Sequence, residues 1–130
     1  LGSNESGRGM SMADLDNDGD LDIVVNNLRS QAQLFENRLC GGASLEVDLR
    51  WPESANPFAL GATLILHTST GNYTRDVRAN SGYLSGDAAR VHFGFPANSQ
   101  LTALEVVWPD ARLSTLNAIS ANTLVRVERP

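Results

Sequence analysis

The segment that most constrains this chain is the nine-residue run from Asp14 to Asp22, which reads DLDNDGDLD. Five of its residues are aspartates that alternate with other residues, and Gly19 stands where a tight loop reverses direction. So many carboxylates in one short segment repel one another unless a cation lies among them, and hard divalent cations prefer oxygen ligands. The segment therefore predicts a loop that binds a divalent cation, with Ca²⁺ as the cofactor.

Each acidic position of this loop has a predicted role in binding the ion. Asp14, Asp16 and Asp18 stand at loop positions one, three and five, from which their side chains can converge on one cation. Asp20 at position seven would offer its backbone carbonyl, and Asp22 at position nine its carboxylate, directly or through water. Mg²⁺ is a weaker alternative, because it demands stricter octahedral geometry and keeps more water. A solvated acidic turn without an ion is the remaining alternative.

The residues around the loop distinguish it from an EF-hand. An EF-hand places a bidentate glutamate at position twelve, where this chain has Val25. The β-branched run at 23–25 favours a strand after the loop, and Met10 and Met12 alternate with smaller residues before it, as in a strand. We therefore expect the order strand, calcium loop, strand, within a part that holds two or three short strands and ends in residues 33–37.

The net charge of the chain is concentrated in this loop. The formal charge is −5, and the loop holds five of the fifteen acidic residues, so the other ten balance the ten basic residues. No basic stripe interleaved with aromatic residues is present, which argues against nucleic acid as a partner. No stretch approaches the roughly 20 apolar residues of a transmembrane helix. The single cysteine, Cys40, excludes an intramolecular disulfide.

Residues 43–130 are predicted to form a small β-sandwich or barrel. Short segments with strand composition recur at regular intervals between turn signals, which is typical of an all-β domain. The Gly-Gly pair at 41–42 forms a joint to residues 1–42, which are too short for a domain and resemble one unit of a repeat array that needs neighbours. The predicted strands are 45–51, 62–68, 73–79, 90–95, 101–108, 112–116 and 123–128, and residues 118–122 could form one helical turn.

Two parts of the chain resemble known families. Residues 9–27, GMSMADLDNDGDLDIVVNN, resemble an FG-GAP/VCBS repeat, the calcium-loop unit of integrin-type β-propellers. The remainder resembles the ASPIC/UnbV domain, although residues 54–60, SANPFAL, lack the arginine that family members usually carry there. We therefore expect a partial repeat over residues 1–42 and an ASPIC/UnbV β-sandwich domain over residues 43–130. The matching stretches of the second part are GA at 61–62, VRANSGYLS at 77–85, RVHFGF at 90–95, LEVVWPD at 104–110 and AN at 121–122.

The resemblance implies where such a chain acts and what surrounds it. This domain typically follows such repeats at the C-terminus of secreted animal proteins, cartilage acidic proteins among them, and of many bacterial proteins. We therefore expect the C-terminal part of an exported protein, extracellular, at the cell surface or periplasmic. The chain has no signal peptide and looks like a fragment, so its start says nothing about location. The predicted partners are upstream propeller repeats of the parent chain, an unidentified protein or glycan, and a second copy bound through the truncated repeat.

Four residues outside the loop are candidates for ligand binding: Tyr83, Asp87, His92 and Trp108. Tyr83 and Asp87 lie in a polar loop at 80–87, and loops on a rigid scaffold often carry binding residues. The alternative for that loop is a structural turn with Tyr83 packed on the core. Trp108 ends a predicted strand, where it either stacks on a sugar ring or closes the edge of the core. His92 lies inside a predicted strand and has either a structural role or a role at a site.

The function expected from these features is that of a non-enzymatic, calcium-stabilised β module for adhesion or for protein or glycan interaction. No G-x-S-x-G elbow for a nucleophilic serine is present, and both histidines lie in predicted strands. Two alternatives stay open. One is a carbohydrate-binding module that uses Tyr83 and Trp108. The other is an enzyme or enzyme accessory of a bacterial biosynthetic pathway, which requires a deep cleft lined by Asp87, Arg90 and His92.

Overall fold

The computed structural model describes residues 4–39 and 41–129, and this part of the chain is all β, as the sequence predicts. None of these residues belongs to a helix that is long and apolar enough to cross a membrane. The strands are β1 Gly7–Ala13, β2 Asp22–Asn27, β3 Gln33–Phe35, β4 Gly42–Arg50, β5 Thr63–Thr68, β6 Gly71–Asp76, β7 Arg90–Pro96, β8 Leu101–Val107, β9 Leu113–Leu116 and β10 Thr123–Glu128.

The described strands form three small sheets. β1, β2 and β3 form an antiparallel sheet at the N-terminal end. β4 is the central strand of the second sheet, with β10 parallel to it on one side and β7 antiparallel on the other. The third sheet has the order β6-β5-β8-β9. The predicted strands of this second part match the observed ones, with ends that shift by at most three residues, as where β4 begins at Gly42 instead of residue 45.

The predicted helical turn at 118–122 is wrong, because this segment is tied to β4 instead. The backbone N–H of Asn122 donates to the carbonyl oxygen of Ser44 at 2.7 Å. The Asn122 side-chain oxygen accepts the backbone N–H of Ser44 at 3.0 Å. The first bond takes the backbone N–H of Asn122 away from a local helical turn, and both bonds hold the chain beside β4 where β10 begins.

The hydrophobic core is built from alternate residues of the second and third sheets. Leu45, Val47 and Leu49 of β4 are fully buried, which is the face that the alternation in this strand predicts. Side chains of this size each contribute roughly 1.5–3 kcal/mol when fully buried. The core consists of Leu45, Val47, Leu49, Ala59, Ala62, Leu64, Leu66, Val77, Val91, Phe93, Phe95, Leu104, Val106, Trp108 and Val127.

The C-terminal end of the chain closes this core over two tryptophans. Trp108 is 1% exposed, and its ring lies edge-on to Trp51 with centroids 6.3 Å apart. The guanidinium carbon of Arg129 lies 5.6 Å from the centroid of each ring, within the range of cation–π attraction. Arg129 Nη2 also donates to Asp110 Oδ2 at 2.8 Å. This hydrogen bond is the main reason why the pKa of Asp110 lies below its ordinary value of 3.8.

Replacing Asp110 should change how stability depends on pH. A carboxyl group whose pKa is lower in the folded state stabilises the fold above its ordinary pKa, and this contribution is lost as the pH falls through the folded-state value. Asp110→Asn should therefore unfold at lower urea concentration than the parent at neutral pH, and the difference should shrink as the pH falls below the ordinary pKa of the carboxyl group. A difference that keeps its size as the carboxyl group becomes protonated would contradict this assignment.

The opposite face of β4 carries a cluster of ion pairs. Asp48 is 4% exposed, and its carboxylate accepts Arg90 Nε at 3.1 Å and Arg50 Nη2 at 3.3 Å. Arg90 Nη1 also donates to Glu46 at 3.2 Å. The hydrogen bond to Asp48 is the main reason why the pKa of Arg90 is raised. Because a buried carboxylate is costly without partners, this face depends on its arginines.

The N-terminal sheet contacts the second part of the chain at two places, strand β1 and the loop between β1 and β2. The backbone N–H of Met10 donates to Ser85 Oγ at 3.1 Å. Gly9 is buried, and a methyl group there would overlap the carbonyl oxygen of Leu84. His92 Nε2 lies 2.7 Å from the carbonyl oxygen of Gly19. The loop at 80–87, a candidate ligand surface in the sequence, is thus in part the surface on which β1 rests.

The close approach at Gly9 predicts a large effect of one methyl group. Gly9→Ala should destabilise the protein by about 1–3 kcal/mol, the usual range for overpacking, because the opposing atom is backbone and cannot rotate away. Gly86→Ala is the matched control, since a methyl group at Gly86 meets no atom within 4 Å. Urea unfolding of the two variants would test this, and equal midpoints would show that β1 is not held against Leu84.

Candidate metal centre

The predicted metal loop connects two antiparallel neighbours. β1 ends at Ala13 and β2 begins at Asp22, so residues 14–21 reverse the chain between paired strands. Two residues of this loop have left-handed backbones, Asn17 with φ of 62° and Gly19 with φ of 95°. Glycine and asparagine adopt this conformation most readily. The strand–loop–strand arrangement expected from the sequence is confirmed.

Three carboxylates converge inside this loop. One oxygen from each of Asp14, Asp16 and Asp18 lies within 4.8 Å of the other two, with Asp14 half-buried and the others exposed. Backbone N–H groups hold these side chains. Asp14 accepts the N–H of Asp18 at 3.1 Å and that of Gly19 at 2.9 Å, and Asp18 accepts the N–H of Asp20 at 2.9 Å. The cluster has the oxygen ligands that a hard divalent cation requires.

The electrostatics of the cluster favour a cation. The pKa of Asp16 lies above its ordinary value, first because neighbouring atoms partly desolvate its carboxylate, and then because Asp18, Asp22 and Asp14 add like charge. Both effects penalise the ionised form of the carboxylate. A divalent ion among these oxygens would remove that penalty, because opposite charge favours the ionised form.

The two other predicted ligands are placed differently. Asp22 is 3% exposed, and its oxygens accept the backbone N–H of Leu15 at 3.2 Å and that of Asn37 at 2.8 Å. It thereby closes the base of the loop and ties the segment after β3 to it. Asp20 is half-buried and does not belong to the carboxylate group that converges. Its predicted contribution, the backbone carbonyl, needs no convergence of its side chain.

This placement predicts a structural role for Asp22 that does not depend on metal. Asp22→Ala leaves two backbone N–H groups without their acceptor, and each such loss costs about 1–3 kcal/mol where water cannot replace it. The variant should therefore be destabilised in EDTA, whereas Asp16→Ala should not. Thermal melts of both variants without divalent ions would measure this. If the two variants melted at the same temperature in EDTA, the structural role of Asp22 would be contradicted.

Residues distant in sequence also border the loop. Asp14 and Asp18 share a hollow of about 190 Å³ with Ser44, Glu46 and Asn122, which come from β4 and from the segment before β10. Sequence reasoning did not connect these residues with the loop. Their chemistry is ordinary for a β-sandwich surface, and only the packing of the N-terminal sheet brings them there.

A larger groove lies between the N-terminal sheet and the second sheet. It has a volume of about 470 Å³, and its lining includes Met12 and Leu21 on one side and Asp87, Arg90 and His92 on the other. The three residues that the enzyme alternative names therefore line one groove. Two of its polar side chains already have partners, because Arg90 is paired with carboxylates of β4 and His92 with the loop carbonyl.

The two aromatic candidates have opposite environments. Trp108 is in the core, and its indole N–H donates to Ser114 Oγ at 2.9 Å, so it offers no face for stacking on a sugar. Tyr83 is 78% exposed, so the alternative in which it packs on the core is wrong. Of the two aromatic residues named for sugar binding, only Tyr83 lies at the surface.

Fold and loop together define a small β-sandwich module that carries an acidic, metal-compatible strand–loop–strand unit. Residues 52–130 match the family described as ASPIC and UnbV, and the chain therefore belongs to the ASPIC/UnbV family. The matched region begins after the metal loop and covers most of the second and third sheets. The FG-GAP/VCBS resemblance of the loop unit lies outside it.

Comparison with known proteins also finds relatives that are much longer. The chain is 30% identical to human cartilage acidic protein 1 over 95% of its own length and 19% of that protein. It is 33% identical to cartilage acidic protein 1 of Xenopus tropicalis over 84% of its length and 17% of that protein. The chain thus spans less than a fifth of the length of these relatives.

Proposed function

We propose that this chain is a non-enzymatic, calcium-binding β module that forms the C-terminal part of a larger exported protein and serves adhesion or interaction with a protein or glycan. The observation that carries the proposal is the convergence of Asp14, Asp16 and Asp18 within 4.8 Å. In this proposal Ca²⁺ stiffens the loop and the sheet that bears it, and takes no part in a reaction.

The assignment of the loop unit to an FG-GAP/VCBS-type repeat is supported by an apolar face. Register places Met10, Met12, Ile23, Val25 and Phe35 on one side of the N-terminal sheet. Met10 and Met12 are each 44% exposed. Met12 also lines the groove beside the second sheet, so we propose that upstream repeats of the parent chain pack on the part of this face outside the groove, as repeat units do with their neighbours. A second copy of the chain is the other partner that this face could take.

The similarity to cartilage acidic protein 1 supports the proposal that the parent protein is exported. The similar proteins are named cartilage acidic protein 1, and calcium sites of extracellular modules bind the ion with dissociation constants of about 0.1–1 mM. An exported parent protein would therefore keep the loop loaded. This supports a structural instead of a signalling role for the ion.

The groove favours a second candidate, an enzyme or enzyme accessory of a bacterial biosynthetic pathway. Its volume of about 470 Å³ falls in the range of small-molecule sites. The non-enzymatic proposal is preferred, because the groove residues Arg90 and His92 hold other parts of the fold together. A carbohydrate-binding module remains a third candidate that depends on Tyr83 and its loop.

The proposed function is tested by Ca²⁺ titration of matched variants. Asp18→Asn and Asp20→Asn remove the same charge, but only Asp18 contributes its carboxylate to the converging group. Asp18→Asn should weaken Ca²⁺ binding about tenfold or more, since the number of charged ligands sets affinity, and Asp20→Asn should weaken it much less. Isothermal titration calorimetry on the full chain would measure both.

Thermal melts give an independent readout. At free Ca²⁺ about 100 times the dissociation constant, binding should stabilise the parent by roughly 2.7 kcal/mol relative to EDTA. The Asp18→Asn variant should lose most of this gain while Trp108 stays buried in the core. A parent protein that neither binds Ca²⁺ nor melts higher in its presence would refute the calcium module and leave the groove as the site to investigate.

A further inference from the structure

His92 is the one candidate residue from the sequence that contacts the metal loop directly in the structure. It lies in β7, half-buried, and its Nε2 is 2.7 Å from the carbonyl oxygen of Gly19, 73 positions away in sequence. A carbonyl oxygen can only accept, so the imidazole must carry a proton on Nε2 and donate it. The contact therefore selects one tautomer of the neutral ring and gives His92 a defined role as donor.

Gly19 connects this histidine to the predicted ligands. Its N–H donates to Asp14 Oδ2 at 2.9 Å, while its carbonyl accepts from His92. Gly19 also lies between Asp18 and Asp20 in the chain. The orientation of its two backbone groups therefore affects where the carboxylate of Asp14 points and where the carbonyl of Asp20 points.

The sandwich supports Gly19 from a second side. A methyl group on Gly19 would come within 2.6 Å of Ser44 Oγ in β4. Ser44 is 5% exposed and is itself fixed by two hydrogen bonds with Asn122. The turn of the loop thus rests on β4 and is held by β7, so its geometry depends on the docking of the N-terminal sheet.

We propose that His92 is a positioning residue for the metal loop and that it couples Ca²⁺ binding to docking of the N-terminal sheet on the sandwich. Its N–H to the Gly19 carbonyl keeps the loop in the shape in which Asp14, Asp16 and Asp18 converge. Because coupling between two binding events is reciprocal, Ca²⁺ in the loop strengthens the contact of β1 with the sandwich. This inference rests on the proposed calcium-binding function.

The test compares three variants of the full chain by calorimetric Ca²⁺ titration. His92→Ala should weaken Ca²⁺ binding about fivefold, the effect expected for one hydrogen bond. His92→Gln should recover most of that loss, because its side-chain amide can donate to the same carbonyl. His67→Ala is the control, since His67 is a half-buried histidine of β5 that bonds Asn72 and lies outside the loop.

Hydrogen exchange of residues 7–13 reports docking separately from affinity. Ca²⁺ should slow exchange in this strand of the parent, with a smaller effect in His92→Ala. A second variant, Ser85→Ala, removes the side chain that accepts the Met10 N–H and leaves His92 intact. If docking and binding are coupled, Ser85→Ala also lowers Ca²⁺ affinity, which keeps the inference testable should His92→Ala fail to fold.

The outcomes separate this inference from the proposed function. A parent that binds Ca²⁺, with His92→Ala and Ser85→Ala binding equally well, overturns the coupling and leaves the calcium module standing. A parent that does not bind Ca²⁺ overturns both. Weaker binding in His92→Ala that His92→Gln restores, together with calcium-dependent protection of β1, supports the role of His92.

Discussion

β4 is buried on both of its faces, and the packing of the other strands depends on how each face is covered. Leu45, Val47 and Leu49 supply one side to the sandwich core, while Ser44 and Asp48 are buried on the other side. Burial of a carboxylate is tolerated only with partners, and arginines from β4 and β7 provide them. The groove beside β4 and the support for the acidic loop at 14–21 both arise on this polar face.

The N-terminal sheet is held in place by contacts with the sandwich and by hydrogen bonds within its own loop. A single sheet must bury its apolar face against another element, and two methionines of this sheet remain 44% exposed. Contacts from Ser85, Leu84 and His92 hold the sheet at its β1 edge and its loop. The sandwich therefore supplies the fixed frame, and the proposed metal would stiffen the segment that leans on it.

Much of this architecture could be predicted because its signals are local. The alternation of apolar residues in β4 and the turn signals between strands predicted the all-β fold and the positions of the strands. The spacing of Asp14, Asp16 and Asp18 predicted a converging loop. The helical turn at 118–122 was wrong, because the backbone and the side chain of Asn122 both bond to Ser44 of β4, 78 positions away in sequence. The alternative in which Tyr83 packs on the core was also wrong, because the burial of a loop side chain depends on tertiary packing, which no local sequence pattern shows.

The sequence alone determined the strand–loop–strand unit, its acidic loop and the alternating faces of the sandwich, because these depend on residues close together in the chain. Tertiary structure decided which groups surround the loop. It makes Asp22 a hydrogen-bond acceptor for the backbone N–H of Asn37 and buries Trp108 in the core. It also brings His92 to the carbonyl of Gly19, 73 positions away in sequence. A hydrogen bond between distant segments leaves no periodic trace in a sequence, because either partner alone is an ordinary residue until packing brings the two within about 3 Å.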